Sequence, residues 1–281
     1  LPAAAAGVVV AFGERLAAVS TTGPAAAARE AMRAQYGPLV APELLARWQA
    51  EPAQAPGRAV SSPWPDRIAV RRVRRLGPRR FRVGGEVVSV SSSEVAAETA
   101  GEGDRAAHRQ PVQLEVVRSE DGAWRIAEYA DACSGVSVAG ELPEQDELPA
   151  AVAATRAAIF EAAVTCDYAA LDGLAPPELR YTFGENVDAL AAWRRDEDRG
   201  EPVLRPMAEV LQLTPAHEHR LWTWPAFFTR TVAEWSTADR REAERLLGRE
   251  ELRQVLGMEA YLGYRLGIAD DGTWQYFVAG D

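Results

Sequence analysis

One four-residue signature occurs twice in this chain of 281 residues, as Asp121-Gly122-Ala123-Trp124 and, 150 positions on, as Asp271-Gly272-Thr273-Trp274. Each copy lies between alternating apolar runs. Val112, Leu114 and Val116 precede the first, and Trp124 and Ile126 follow it; Tyr261–Ile268 and Trp274–Val278 flank the second. Alternation of this kind marks a half-buried strand. Gly between two such strands supplies the positive φ that a tight hairpin turn requires. Each copy also closes a stretch that opens with helical periodicity. The expected layout is a duplicated one, in which two α+β halves each begin with helices and end in a hairpin. The Trp of each hairpin is expected to point inward, onto the first helix of its own half.

In the first half, Val8, Phe12, Leu16 and Val19 form one apolar stripe, which predicts a helix from Val8 to Val19. A second helix carries Met32 and Tyr36 and stops at Gly37-Pro38. A third starts at Pro42 and presents Leu44, Leu45 and Trp48. Four prolines between Glu51 and Pro65 mark a loop. Strands are predicted at Ile68–Val70 and Phe81–Val83 around Gly77-Pro78, and at Val87–Val90 after a bulge or bend at Gly84-Gly85. A loop is expected over Val95–Ala107. Residues 132–149 contain Gly, Pro and four acidic residues with little periodicity, and are read as a linker between domains 1–131 and 150–281. The second half restarts with a helix whose face holds Ile159, Phe160, Ala163 and Val164. It breaks at Asp167-Tyr168 into another helix through Leu171 and Leu174. Helical patterns cover Val187–Arg199, Met207–Leu213 and Asp239–Leu256, and a strand is predicted at Leu221–Phe228.

Charge narrows the function classes. The net charge is −10, but residues 1–131 carry 17 Arg against 15 acids while 151–281 carry 14 Arg against 22. A chain with so acidic a second half is a poor nucleic-acid binder, and no apolar run is long enough to span a bilayer. Residues Leu1 to Gly7 read either as the tail of a signal peptide or as the first turn of a helix. Export is the expectation and the cytoplasm the alternative. Cys133 and Cys166 have one pairing open to them, a disulfide joining the linker to the first helix of the second half; otherwise Cys166 is a buried thiol and Cys133 incidental.

This order of elements resembles the NTF2-like superfamily, in which N-terminal helices pack across a curved antiparallel sheet to form a cone. In the first half the likeness rests on Val8–Trp48 followed by the strands from Arg67 to Tyr129. In the second it rests on Thr155-Arg156, Ile159-Phe160, Cys166-Asp167-Tyr168, Leu171 and Leu174, and on the closing run from Tyr261-Leu262-Gly263-Tyr264-Arg265 through Trp274 to Asp281. The stretch 184–213 is more helical than that family's strand content. The resemblance implies two tandem cone-like domains. It implies either a pocket without catalysis or, in some members, an isomerase, dehydratase or hydrolase site built from carboxylates, Tyr or His on the concave face.

The residues favour the first of these. The inward strand positions of the first half, Ile68, Val70, Val112, Leu114, Val116, Trp124 and Ile126, are apolar, and Glu115 alternates outward. The second half is richer in rings. Tyr181, Trp222, Trp224, Tyr264 and Tyr276 are candidates to line a ligand pocket, with core filling as the competing role. Trp222 and Trp224 face the same side of one strand and are the best candidates for an exposed platform. His217 and His219 lie two apart, but a metal site needs a third ligand and an orienting shell, and neither metal nor cofactor is expected. Nine Arg and one acid lie between Arg58 and Arg82. Arg71, Arg72, Arg74 and Arg75 are therefore either an anion-binding stripe or the charged guard of an edge strand. The expected function is a non-enzymatic ligand-binding or protein-interaction module, the alternative a small-molecule enzyme acting in the second cavity. The partners left open are a small molecule, another protein or a second copy of the chain.

Overall fold

The first strand pair is longer than its pattern suggests. In the computed structural model, which describes residues 2–91, 108–180 and 188–280, β1 (Trp64–Gly77) and β2 (Arg80–Val90) form one continuous hairpin. The Gly84-Gly85 pair does not split β2. The register shift lies opposite it on β1, between Val70 and Arg72, where a side chain on Gly85 would strike the Ala69 carbonyl. Strands β3 (His108–Arg118) and β4 (Trp124–Asp131) complete a four-stranded antiparallel sheet in the order β1-β2-β3-β4. The expected loop over 95–107 lies outside the described residues.

Three helices accompany this sheet: α1 (Pro2–Gly13) and α3 (Pro42–Ala50) pack on its strands, and α2 (Ala25–Tyr36) packs on α3. The first begins six residues before the predicted start, with Ala5 and Val9 fully buried, and ends at Gly13, beyond which Leu16–Ala18 form a 3-10 turn. It stops there because Gly13 presses against the backbone of Ile68, leaving no room for a side chain. The chain divides between Ala132 and Cys133 into two compact units.

The second unit contains α4 (Ala150–Thr165), α5 (Tyr168–Leu174), α6 (Ala189–Asp198), α7 (Leu204–Leu211) and α8 (Thr237–Met258). Its sheet has the order β5-β6-β7-β8, from β5 (Ala216–Glu218), β6 (Leu221–Trp224), β7 (Arg265–Ala269) and β8 (Trp274–Val278). The strand predicted at 221–228 ends at Trp224 because Pro225 has no N–H to give to a ladder, and Ala226–Thr229 coil into a 3-10 turn. Tyr261 to Tyr264 likewise precede β7 rather than belong to it, with the Tyr261 hydroxyl donating to the Tyr264 carbonyl (2.9 Å). Gly248 breaks α8 in two, with φ 76° and ψ 169°.

Residues 133–148, expected as a linker, form a strap packed onto the second unit. Cys133 and Cys166 are joined by a disulfide, and Val136 and Val138 are buried. The Ser134 amide and hydroxyl donate to the Glu197 carboxylate (2.7 and 2.6 Å), which also accepts the Val203 and Leu204 amides at the start of α7. At the other end of α7, the buried Arg156 guanidinium donates to the Leu211 carbonyl (3.0 and 2.6 Å) and to the strap's Pro143 carbonyl (2.9 Å). Burial pushes its pKa down to about 10, still far above neutrality, so it stays charged where a helix C-terminus favours a cation. Gln145 bridges the Leu213 carbonyl and the Trp224 indole N–H. The absence of periodicity in this stretch reflects irregular backbone satisfied by side chains, not a free connection.

Candidate functional site

A cone-shaped domain would hold a ligand between its helices and the inward face of its sheet. In the first unit this space is filled by rings. Phe12 stacks on Trp48 (5.9 Å, 17°) and contacts Tyr36 at 4.8 Å, while Tyr129 meets both Phe12 and Trp48 edge-on at 6.3 and 6.1 Å. The fully buried Tyr36 donates its hydroxyl to the Pro56 carbonyl (2.7 Å). Burial, with the nearby Tyr129 phenol, drives its pKa upward, so it serves as a neutral hydrogen-bonding core residue. The inward strand residues expected from alternation all join this core, Val70 and Trp124 at its margin.

The opposite face of the same sheet is ionic. Glu86 is buried and accepts from Arg71 (3.0 and 2.8 Å) and Arg109 (3.3 Å). Glu115 is held between Arg80 and Arg82. Arg71, Arg72, Arg74 and Arg75 lie on β1, an edge strand interrupted by three register shifts. Arg71 is committed to Glu86, and the Arg75 Nε donates to the Gly77 carbonyl (3.2 Å). Arg72 stands opposite Gly84 and Arg74 opposite Arg82. This placement favours the edge-guard role over an anion stripe.

In the second unit the four pocket candidates among the described residues do not assemble. Tyr181 lies outside the described residues. Trp222 and Trp224 share one side of β6 as expected, but that side is the core face. They are 7% and 0% exposed, so the pair forms no surface platform. The same face carries Leu266, Ile268, Trp274 and Phe277, and Trp193 of α6 packs on Trp274 (5.7 Å) and Phe277 (5.8 Å). Tyr264 stacks on Phe277 (5.0 Å, 10°) at the margin of this core. Tyr276 points the other way. It lies over Gly267, and its hydroxyl is paired with the Thr223 hydroxyl at 2.9 Å. The register explains the division, since Tyr276, Gly267 and Thr223 stand abreast on one face, whereas Trp222 and Trp224 occupy the other.

Two surface features went unrecognised in the sequence. At one end of the second sheet, His217 stacks on Trp222 (4.3 Å, 15°), and its Nε2 is 2.9 Å from Asp270 Oδ1. The same oxygen accepts the Trp222 indole N–H (3.1 Å), and Arg220 Nε lies 3.7 Å from Asp270 Oδ2. His219 sits instead in the β5–β6 turn with φ 52°, so the two imidazoles do not act together. Among the described residues, no group of three or more His, Cys, Asp or Glu side chains is arranged to hold a metal ion. The second feature is a groove of about 150 Å³ along the C-terminal half of α8, lined by Leu247, Glu251, Val255, Met258, Tyr261 and Leu262. Met258 and Leu262 are exposed, at 58% and 40%. The spacing 247, 251, 255, 258 was available in the sequence, but a helical stripe does not by itself announce which of its residues stay uncovered.

Comparison of the chain with protein-family models, with curated proteins and with solved structures finds no match. Among the described residues, no helix is long and apolar enough to cross a membrane.

Proposed function

We propose that this chain is a non-enzymatic protein-interaction module built from two cone-like domains of the NTF2-like type, meeting its partner on an outer surface. The observation that carries this reading is the filling of both sheet faces: Phe12, Tyr36, Trp48 and Tyr129 in one unit, and Trp193, Trp224, Trp274 and Phe277 in the other, occupy the volume where a cone would bind a small molecule. Helices first and an antiparallel sheet whose strands are ordered by sequence support the family likeness in both units, although the second inserts α8 between β6 and β7. The Cys133–Cys166 disulfide supports an oxidising, extracytoplasmic setting.

The second reading, a small-molecule isomerase, dehydratase or hydrolase, draws on the His217–Asp270 pair. The Asp270 carboxylate is already engaged by Trp222 and flanked by Arg220, which suits a latch between the β5–β6 hairpin and the β7–β8 turn better than a general base. A fragment library followed through the indole N–H signals of Trp193 and Trp274 tests the proposal. Fragments are expected to leave both unmoved. A fragment that shifts them at stoichiometric occupancy would open the second cone to a ligand and overturn it.

A further inference from the structure

The groove on α8 has a definite electrostatic character. Its buried lining is Val255 and Tyr261, with the half-buried Leu247 beside them, and the exposed Leu262 and Glu251 stand at its rim. The arginines nearest in sequence are occupied: Arg249 pairs with Glu244 (2.8 Å) and Arg253 with Glu250. The carboxylates of Glu251 and Glu259, on either side of the exposed Met258, form no ion pair or side-chain hydrogen bond with any described residue. The break at Gly248 and the left-handed Glu259 (φ 56°) set this half-helix apart at both ends. The unit that carries it, residues 133–281, holds 14 Arg against 26 acids, a net charge of −12.

We infer that this groove docks a short amphipathic helical segment of a partner protein, presenting one large apolar side chain to the slot and cationic side chains to Glu251 and Glu259. Helix-in-groove recognition uses such anchors, and unpaired rim carboxylates select for Lys or Arg beside them. A slot of about 150 Å³ accepts one large side chain. A second copy of the chain is disfavoured as occupant, because it would bring a second acidic unit of net charge −12 against this one. The inference rests on the surface-binding reading above and names its site and partner chemistry.

The test uses the full chain and a fluorescein-labelled 18-residue helical peptide of Leu and Lys, with one comparator in which Leu is replaced by Ser and another in which Lys is replaced by Glu. Fluorescence polarisation should show saturable binding of the first peptide alone. Met258→Glu, at an exposed position that leaves the melting temperature unchanged, should weaken it about tenfold or more, and Glu251→Gln about threefold. Equal binding of the Ser peptide would reduce the effect to bulk charge attraction and overturn the inference. So would an undiminished affinity in Met258→Glu, or a dimer in sedimentation that Met258→Glu dissolves. Failure here with Trp193 and Trp274 still untouched by fragments would refute this groove while leaving the surface-binding reading standing; shifted indole signals would refute both.

Discussion

Replacing Trp274 by Ala tests the duplicated architecture most directly. The ring is 1% exposed, lies 5.7 Å from Trp193, and donates its indole N–H to the Tyr276 carbonyl at 3.0 Å. Truncation of a buried Trp costs about 3–5 kcal/mol, and loss of the indole hydrogen bond adds about 1 kcal/mol. For a unit of this size each kcal/mol lowers the melting temperature by roughly 2–4 °C, so the second unit should melt roughly 10–20 °C lower. Trp124 occupies the equivalent position in the first unit but is only half-buried, packed edge-on against Phe81 at 5.3 Å. Its removal should cost about half as much. Trp274→Phe keeps most of the packing and should recover all but about 1–2 kcal/mol. Calorimetry with urea titration followed by far-UV circular dichroism reads both units without depending on the altered fluorophore. An unchanged melting temperature in Trp274→Ala, or a larger loss in Trp124→Ala than in Trp274→Ala, would refute the reasoning.

The strap yields further expectations. Fragment 133–281 should unfold cooperatively by itself, whereas fragment 150–281 should be less stable by at least about 3 kcal/mol, a difference measurable by urea denaturation; equal stability would return residues 133–148 to the status of a linker. Closing a loop over a sequence separation of 33 residues, the Cys133–Cys166 disulfide should contribute about 3–4 kcal/mol, measured as the difference between the oxidised protein and its Cys133→Ser, Cys166→Ser variant. Arg156→Lys should destabilise almost as much as Arg156→Met, by about 2–4 kcal/mol in denaturant titration, because one ammonium cannot serve the Leu211 and Pro143 carbonyls together. Asp239 caps α8 through Ser236 and pairs with Arg230 at 2.9 and 2.8 Å. Burial alone would raise its pKa, but those partners outweigh it and the pKa is lowered below the ordinary 3.8. Its folded pKa lying below the unfolded one, the contribution is present above pH 3.8 and lost as pH falls through the folded value. Asp239→Asn should therefore flatten the acid limb of the stability curve; an unchanged limb would contradict this.

What was legible in the sequence was what local chemistry determines. Asp-Gly located both hairpins, and the turns are alike in detail: the Ala123 amide donates to Asp121 Oδ1 (3.0 Å) and the Thr273 amide to Asp271 Oδ1 (2.9 Å), with Gly122 and Gly272 at φ 84° and 89°. The helical stripes located the core of α2 and α3. The sequence left Trp222 and Trp224 between core filling and an exposed platform, because two rings on one side of a strand look the same whether that side faces helices or solvent. The outward direction of Tyr276 was hidden for a different reason. Strict alternation from Trp274 turns it inward, but Gln275 is an extra residue in the β7–β8 ladder, so Tyr276 swings outward and Phe277 takes the inward place. The burial of Glu86 was not legible, because it depends on Arg71 and Arg109 arriving from two neighbouring strands.

That extra residue has a counterpart in the first unit, where Ala127 is unpaired between Ile126 and Glu128. Each closing strand thus carries one bulge, and each is joined two residues after its Trp by a parallel bridge from the helical part of its own unit: Val40 to Ile126, and Arg180 to Tyr276. Neither device follows from Asp-Gly-x-Trp, so the two closing strands share more than the signature alone. The bulges also decide which side chains face the two cores. Beyond Ala127 the shifted register turns Tyr129 inward onto Phe12 and Trp48, and beyond Gln275 it turns Phe277 inward onto Trp193 and Tyr264. Without the extra residue, Ala130 and Tyr276 would alternate into those faces, placing a small side chain in one core and a phenol in the other. One added residue per closing strand supplies a ring to each core.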